Sequence, residues 1–211
     1  MNLCTCPAAA SLTSIPAAGC PESFGQIQKI AFQRLRKADG TKNSFTSTSS
    51  ILIKASWTAK MAASDATKIV ISPYIQAPSQ EAGSPRTFGG GNETLGGVEI
   101  IIGREPSTFT GVIRSVSQDV IKAMKQLQCE AQADNLGVFL IDENGAGEAI
   151  KDESVATTFY PIPIRSLFIG DKAHGGLEAP DSNAIQFSFL PNYSDNLSIQ
   201  VPTDFNPLTD L

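Results

Sequence analysis

His174 is the single histidine among 211 residues, so serine- or cysteine-nucleophile chemistry with an imidazole base would have to pass through it. It sits in a glycine-rich stretch, no Gly-x-Ser-x-Gly elbow occurs, and Cys129 lies on a helix face without a local signature. Glu93, Glu99, Glu105 and Asp119 could meet as an acid/base pair, but an acidic chain offers many such combinations. Asp142-Glu143-Asn144-Gly145 has oxygen ligands without the regular spacing of a calcium loop, and reads better as a hairpin turn. Cys4-x-Cys6 followed by Cys20 lacks the two-to-four-residue gap of a zinc knuckle. These residues imply no catalytic group, no metal and no cofactor, and the expectation is that the chain is not an enzyme.

The glycines are the other candidates for chemistry. Gly89-Gly90-Gly91-Asn92-Glu93-Thr94-Leu95-Gly96-Gly97 leads into a strand, whereas a dinucleotide fingerprint opens a helix and a Walker loop ends in Gly-Lys-Ser/Thr. The run therefore predicts turning backbone at positive φ, or close backbone approach, and not a phosphate cradle. Lys29, Arg34, Arg36 and Lys37 form the one local basic cluster, in a chain of net charge -5. Without interleaved aromatics they read as a solvated strand face. Charged residues make up 18% and hydrophobic residues 41%, a composition slightly poor in charge that leaves surface for burial against partners. No apolar run is long enough for a membrane span, and the opening residues lack the pattern of a secretory signal. Manufacture in the cytoplasm of the producing cell, with no membrane partner, is the expectation.

The elements that would carry these residues follow from periodicity. Residues 1–23, rich in Ala, Ser, Pro and Cys, read as an extended arm, and 24–201 as a single β-rich domain. Strands are predicted over about 26–36, 68–75, 98–102, 109–116, 136–141, 148–150, 159–169 and 184–190, with an edge strand near 197–201 and a C-terminal tail over 202–211. Ser49 and Ser50 precede a predicted helix over 50–63, capped by a serine hydroxyl, and Trp57 is its anchor in the core or at an interface. The spacing of Val120, Ile121, Met124 and Leu127 predicts a second helix over 117–129. Residues 76–97, with Pro78, Gly83, Pro85 and the glycine run, read as a long loop, and loops of that length are usually functional. The fold class is mainly β (α+β), an antiparallel β-sandwich or barrel with one or two flanking helices.

Two runs carry a resemblance: Arg86-Thr87-Phe88-Gly89-Gly90-Gly91-Asn92-Glu93 through Gly97, and Gly103-Arg104-Glu105-Pro106-Ser107-Thr108-Phe109. Over about residues 24–150 the chain resembles structural proteins of tailed phages and prophages of Bacteroides-type hosts, the tail tube or major tail protein above all. That resemblance implies a homo-oligomer: rings, typically hexameric, stacked into a tube around a DNA conduit, with other virion proteins as partners and the virion as location. It makes Arg86, Phe88, Gly89, Gly90, Gly91, Asn92 and Glu93 a candidate assembly loop, and Trp57 a candidate interface anchor. A head decoration, connector or tail completion protein would share this composition. A small hydrolase or carbohydrate-binding module using His174 is the reading from another class.

Overall fold

A computed structural model describes residues 24–211. The expected arm at 1–23, and with it Cys4, Cys6 and Cys20, lies outside the described residues. In chain order the elements are β1 (Ile27–Arg34), α1 (Lys54–Ala62), β2 (Ile69–Ile71), β3 (Ile75–Glu81), β4 (Pro85–Phe88), β5 (Ile100–Arg104), β6 (Thr108–Arg114) and α2 (Gln118–Gln132). They continue with β7 (Leu136–Asp142), β8 (Gly147–Lys151), β9 (Phe159–Tyr160), β10 (Ile162–Ile169), β11 (Ser182–Phe189), β12 (Leu197–Gln200) and α3 (Pro207–Asp210).

The sequence of β7, Leu-Gly-Val-Phe-Leu-Ile-Asp, is too uniformly apolar for a strand with one wet face. All seven of its residues are buried, because both faces are covered. Leu136, Val138 and Leu140 enter the main core, while Phe139 belongs to a second one. Along one edge β7 pairs antiparallel with β1, from Arg34 opposite Leu136 to Ile27 opposite Asp142. Along the other it meets the start of β10 and then β8. One layer thus runs β2-β1-β7-β8-β12, and a second runs β3-β6-β11-β10. All pairings are antiparallel, and the architecture is a mainly β sandwich with flanking helices, not a closed barrel.

One strand joins the layers. β10 begins beside β7, with Ile162 opposite Val138, then pairs with β11 from Ile164 opposite Phe189 onward, with a register slip between Arg165 and Phe168 inside that ladder. Ser166 at the slip has a φ of 54°, and such bulges are how a strand turns a corner between packed sheets. The main core fills the space between layers, where Phe109 stacks on Phe187 at 4.8 Å and Phe187 meets Phe189 edge-on at 5.3 Å. Helix α2 adds Ile121, Met124 and Ala131 to it, with Leu127 packed alongside; of the residues its spacing predicts to face inward, Val120 is exposed. Ordinary accounting puts each fully buried side chain of this size at about 1.5–3 kcal/mol.

The second core covers the outer face of β1, β7 and β8 and explains several departures from expectation. Trp57 is buried here, 4.7 Å from the Phe45 ring and 5.5 Å from Phe139, with its indole N–H donating to the Ile51 carbonyl at 2.7 Å. It anchors the core of its own chain, not an interface. Helix α1 is shorter than the predicted 50–63 and has Ile53 at its N-cap with no side-chain cap. Ser50 instead accepts from the Leu52 N–H at 3.2 Å, a local turn that competes with the capping role. Residues 202–211 pack down: Phe205 is buried, Asn206 accepts from the Leu208 N–H at 2.9 Å to cap α3, and Lys29 Nζ donates to the main-chain oxygen of Leu211 at 2.9 Å. Lys29 is consequently buried, with its ammonium 4.7 Å from the Tyr74 ring centroid, and does not belong to a solvated face.

Candidate functional site

Nearly half of the stretch read from sequence as the loop 76–97 is strand. β3 pairs with β6 from Ile75 opposite Ile113 to Glu81 opposite Thr108, and β4 and β5 continue the same two chains outward, Pro85 opposite Arg104 and Phe88 opposite Ile100. The result is one long hairpin whose outer half, β4–β5, projects from the sandwich as an arm. Its hinge is narrow: Glu105 N–H donates to the Ser84 carbonyl at 2.8 Å, and a Cβ at Gly83 would lie 1.8 Å from the Glu105 carbonyl oxygen. Only glycine permits that approach. At the tip Gly89, Gly90 and Gly91 have φ of 93°, 108° and 56°, so the glycine run provides turning backbone.

The arm's chemistry lies in what it leaves uncovered. Every residue of β4 is exposed, and so are Ile100, Ile101 and Ile102 of β5. Phe88 is 56% exposed, Ile101 66%, Val98 63%, and Leu95 is fully solvated. A two-stranded hairpin is at best marginal alone in water, and exposed apolar side chains on both of its faces, Phe88 with Ile100 on one and Ile101 on the other, rimmed by polar groups, mark an interaction site. The polar rim is present: Arg86 pairs with Glu105 across the arm at 3.8 Å, Arg104 Nη1 donates to Asn192 Oδ1 at 2.7 Å, and Glu93 and Glu99 sit exposed near the tip. Among the described residues neither glutamate is in an ion pair.

The proposed assembly residues Arg86, Phe88, Gly89, Gly90, Gly91, Asn92 and Glu93 are thus brought together on this arm, while Trp57 is far inside. Sequence reasoning missed the rest of the arm's apolar surface. Ile100, Ile101 and Ile102 form an aliphatic run that reads as a buried strand, and the glycine-rich segments flanking it on both sides were the signal that it stands apart.

The residues weighed for chemistry are scattered. His174 is 79% exposed and its Nδ1 lies 3.3 Å from Asp181 Oδ2, with Lys172 as that carboxylate's second partner at 3.7 Å. Cys129 is exposed on α2, and Asp119 opens α2 while Glu93, Glu99 and Glu105 belong to the arm. Asp142 is buried and accepts three backbone N–H bonds, from Gly25 at 3.0 Å, Asn144 at 2.9 Å and Ala146 at 2.7 Å. Its carboxylate shapes the β7–β8 turn. Arg34 is tied to Glu130, and Arg36 donates to the Gly40 carbonyl at 3.0 Å, so the basic cluster disperses. Among the described residues no cluster of three or more His, Cys, Asp or Glu could hold a metal, and no helix is long and apolar enough to cross a membrane.

No family model matches the chain, and no curated protein matches it. Among solved structures it is similar to a chain in the tail of an empty gene transfer agent particle with C6 symmetry, at 14% identity over 60% of this chain and 82% of that one, TM-score 0.33. It is also similar to a chain of the anti-feeding prophage baseplate, at 8% identity over 92% of this chain and 100% of that one, TM-score 0.33. A crystal structure of Hcp protein follows at 11% identity, covering 77% and 88%, with a TM-score of 0.24. With TM-scores this low, these likenesses carry no argument about role.

Proposed function

We propose that this chain is a virion structural subunit, a tail tube protein that self-assembles into stacked rings, hexameric by its resemblance to that family, around a DNA conduit. The observation that supports the reading is the projecting arm with its uncovered Phe88, Leu95, Val98 and Ile100–Ile102. Because all but Leu95 of these six side chains are already partly covered, burying what they leave exposed contributes on the order of 6–12 kcal/mol gross. Bringing two molecules together costs an estimated 4–15 kcal/mol. One arm contact is therefore close to break-even, and assembly becomes favourable where many copies close a ring and share the gain. The acidic balance, net -5, suits a passage for a polyanion that must not stick. Among the described residues β12 and β2 lie at sheet margins, each with one edge lacking a strand partner, and offer backbone groups for neighbours in the same ring.

Negative-stain microscopy of the purified protein over a concentration series tests the reading. Open-ended tubes are the expected result. Isolated rings that never stack would move the protein to a connector or completion role, and monomers at the highest concentration would sink the assembly reading.

A further inference from the structure

The end of the molecule opposite the arm is built to receive one. Segment 67–88 runs from Thr67 beside Gln33, through β2 and β3, to Phe88 at the tip. The segment follows β1 antiparallel, with Ile69 opposite Gln33, Ser72 bonded to Ile30 and Pro78–Gln80 beside Phe24–Ile27, so Thr67 lies at one end of β1 and the arm departs beyond the other. On one side of 65–68 lies a mainly apolar groove of about 520 Å³ between β2 and α2, lined by Val70, Pro73, Val120 and Leu127 and rimmed by Lys68, Asp65 and the Arg34–Glu130 ion pair. On the other side Thr67 lines a second concavity of about 320 Å³, which holds Lys37, Lys60, Ser44, Ser49 and Ser56.

Two lysines lining one concavity need explanation in an acidic protein. Among the described residues neither Lys37 nor Lys60 is in an ion pair. The nearest carboxylate influence on Lys60 is Asp65, whose Oδ1 is already engaged by the Thr67 N–H and hydroxyl. Lys60 Nζ rests 4.9 Å from the Phe45 ring centroid, half-buried. Burial first, and repulsion from Lys37 second, hold its ammonium below the usual lysine range. Both effects would be offset by an anion arriving from outside.

We propose that this end is the seat of the arm of a second copy: the apolar stem, Phe88 with Ile100–Ile102, lies in the β2–α2 groove, and Glu93 and Glu99 at the tip meet Lys37 and Lys60. The seat rests on the assembly reading above. The charge match is specific: two unpaired carboxylates on one end, two unpaired ammonium groups on the other.

A charge swap followed by sedimentation tests it. Glu93→Lys with Glu99→Lys, and separately Lys37→Glu with Lys60→Glu, are each expected to raise the assembly midpoint concentration roughly tenfold or more, since like-charge juxtaposition is strongly unfavourable. The four changes combined are expected to return it to within a few-fold of wild type. Either reversed pair assembling like wild type, or a combined variant that fails to recover, overturns the seat while leaving the assembly reading standing. A wild type that never assembles sinks both. If Lys60→Glu unfolds the second core, seen by circular dichroism, the exposed Lys37→Glu against Glu93→Lys alone carries the same swap with the same two outcomes.

Discussion

Glu148 sits on β8 in a recess lined by Phe24, Ile27, Phe109, Tyr193 and Leu197. Burial raises its carboxyl above the ordinary glutamate range, and the neighbouring Tyr193 hydroxyl, hydrogen-bonded to Gln80, is raised by burial first and by Glu148 second. A carboxyl whose folded value exceeds its unfolded value of about 4.3 leaves stability untouched at low pH, where both states hold the proton. As pH rises the unfolded chain releases that proton first, so stability falls until the folded value is passed and then stays lower. Glu148→Gln is therefore expected to raise the melting temperature at pH 7, on the order of a degree or two, and to change nothing near pH 3. A gain equal at both pH values would show that packing, not ionisation, is at work. Asp142 is the contrasting acid: buried too, but answered by three N–H donors, and legible from Asp142-Glu143-Asn144-Gly145 as a turn because those residues act locally. Lys37 and Lys60 were not legible as a pair, since nothing in sequence links a strand's end to a helix's last turn.

Elements were legible where a single period governs them. Helix α2 and the β7–β8 hairpin follow from spacing and turn chemistry over a few residues. The arm did not follow, because its strands have no buried face and hence no alternation, and its glycines and prolines are the residues of loops. The serine cap of α1 failed for a related reason: Ser50 had a nearer N–H to satisfy at Leu52. Since β4–β5, among the described residues, packs chiefly against itself and meets the body at its hinge and at the Arg104–Asn192 contact, it contributes little to folding. Replacing residues 85–104 by an Asn-Gly turn is expected to leave the circular dichroism and melting temperature of the monomer within about 2 °C of wild type, and to abolish assembly by sedimentation. Loss of the folded signal would show that the arm is part of the core.

At the scale of the whole molecule, donor and acceptor lie on different surfaces, and that decides which oligomers can exist. A two-fold dimer needs one self-complementary patch, whereas an arm on one end and a seat on the other make a head-to-tail contact that continues until it closes or becomes a filament. The sandwich class follows from strand count and turn spacing in the sequence, but this polarity does not, because it depends on β2 and β3 lying end to end across both layers. The contact should also be divisible. A copy lacking residues 85–104 keeps only its seat, and a copy carrying Lys37→Glu and Lys60→Glu keeps only its arm. Each alone is expected to stay monomeric at concentrations where wild type assembles, and an equimolar mixture to form nothing larger than a one-to-one pair, which a single near break-even contact populates only at the highest concentrations, seen by sedimentation velocity. A mixture that grows into rings would place the decisive contact at the β12 and β2 margins, where neighbouring strands pair without the arm.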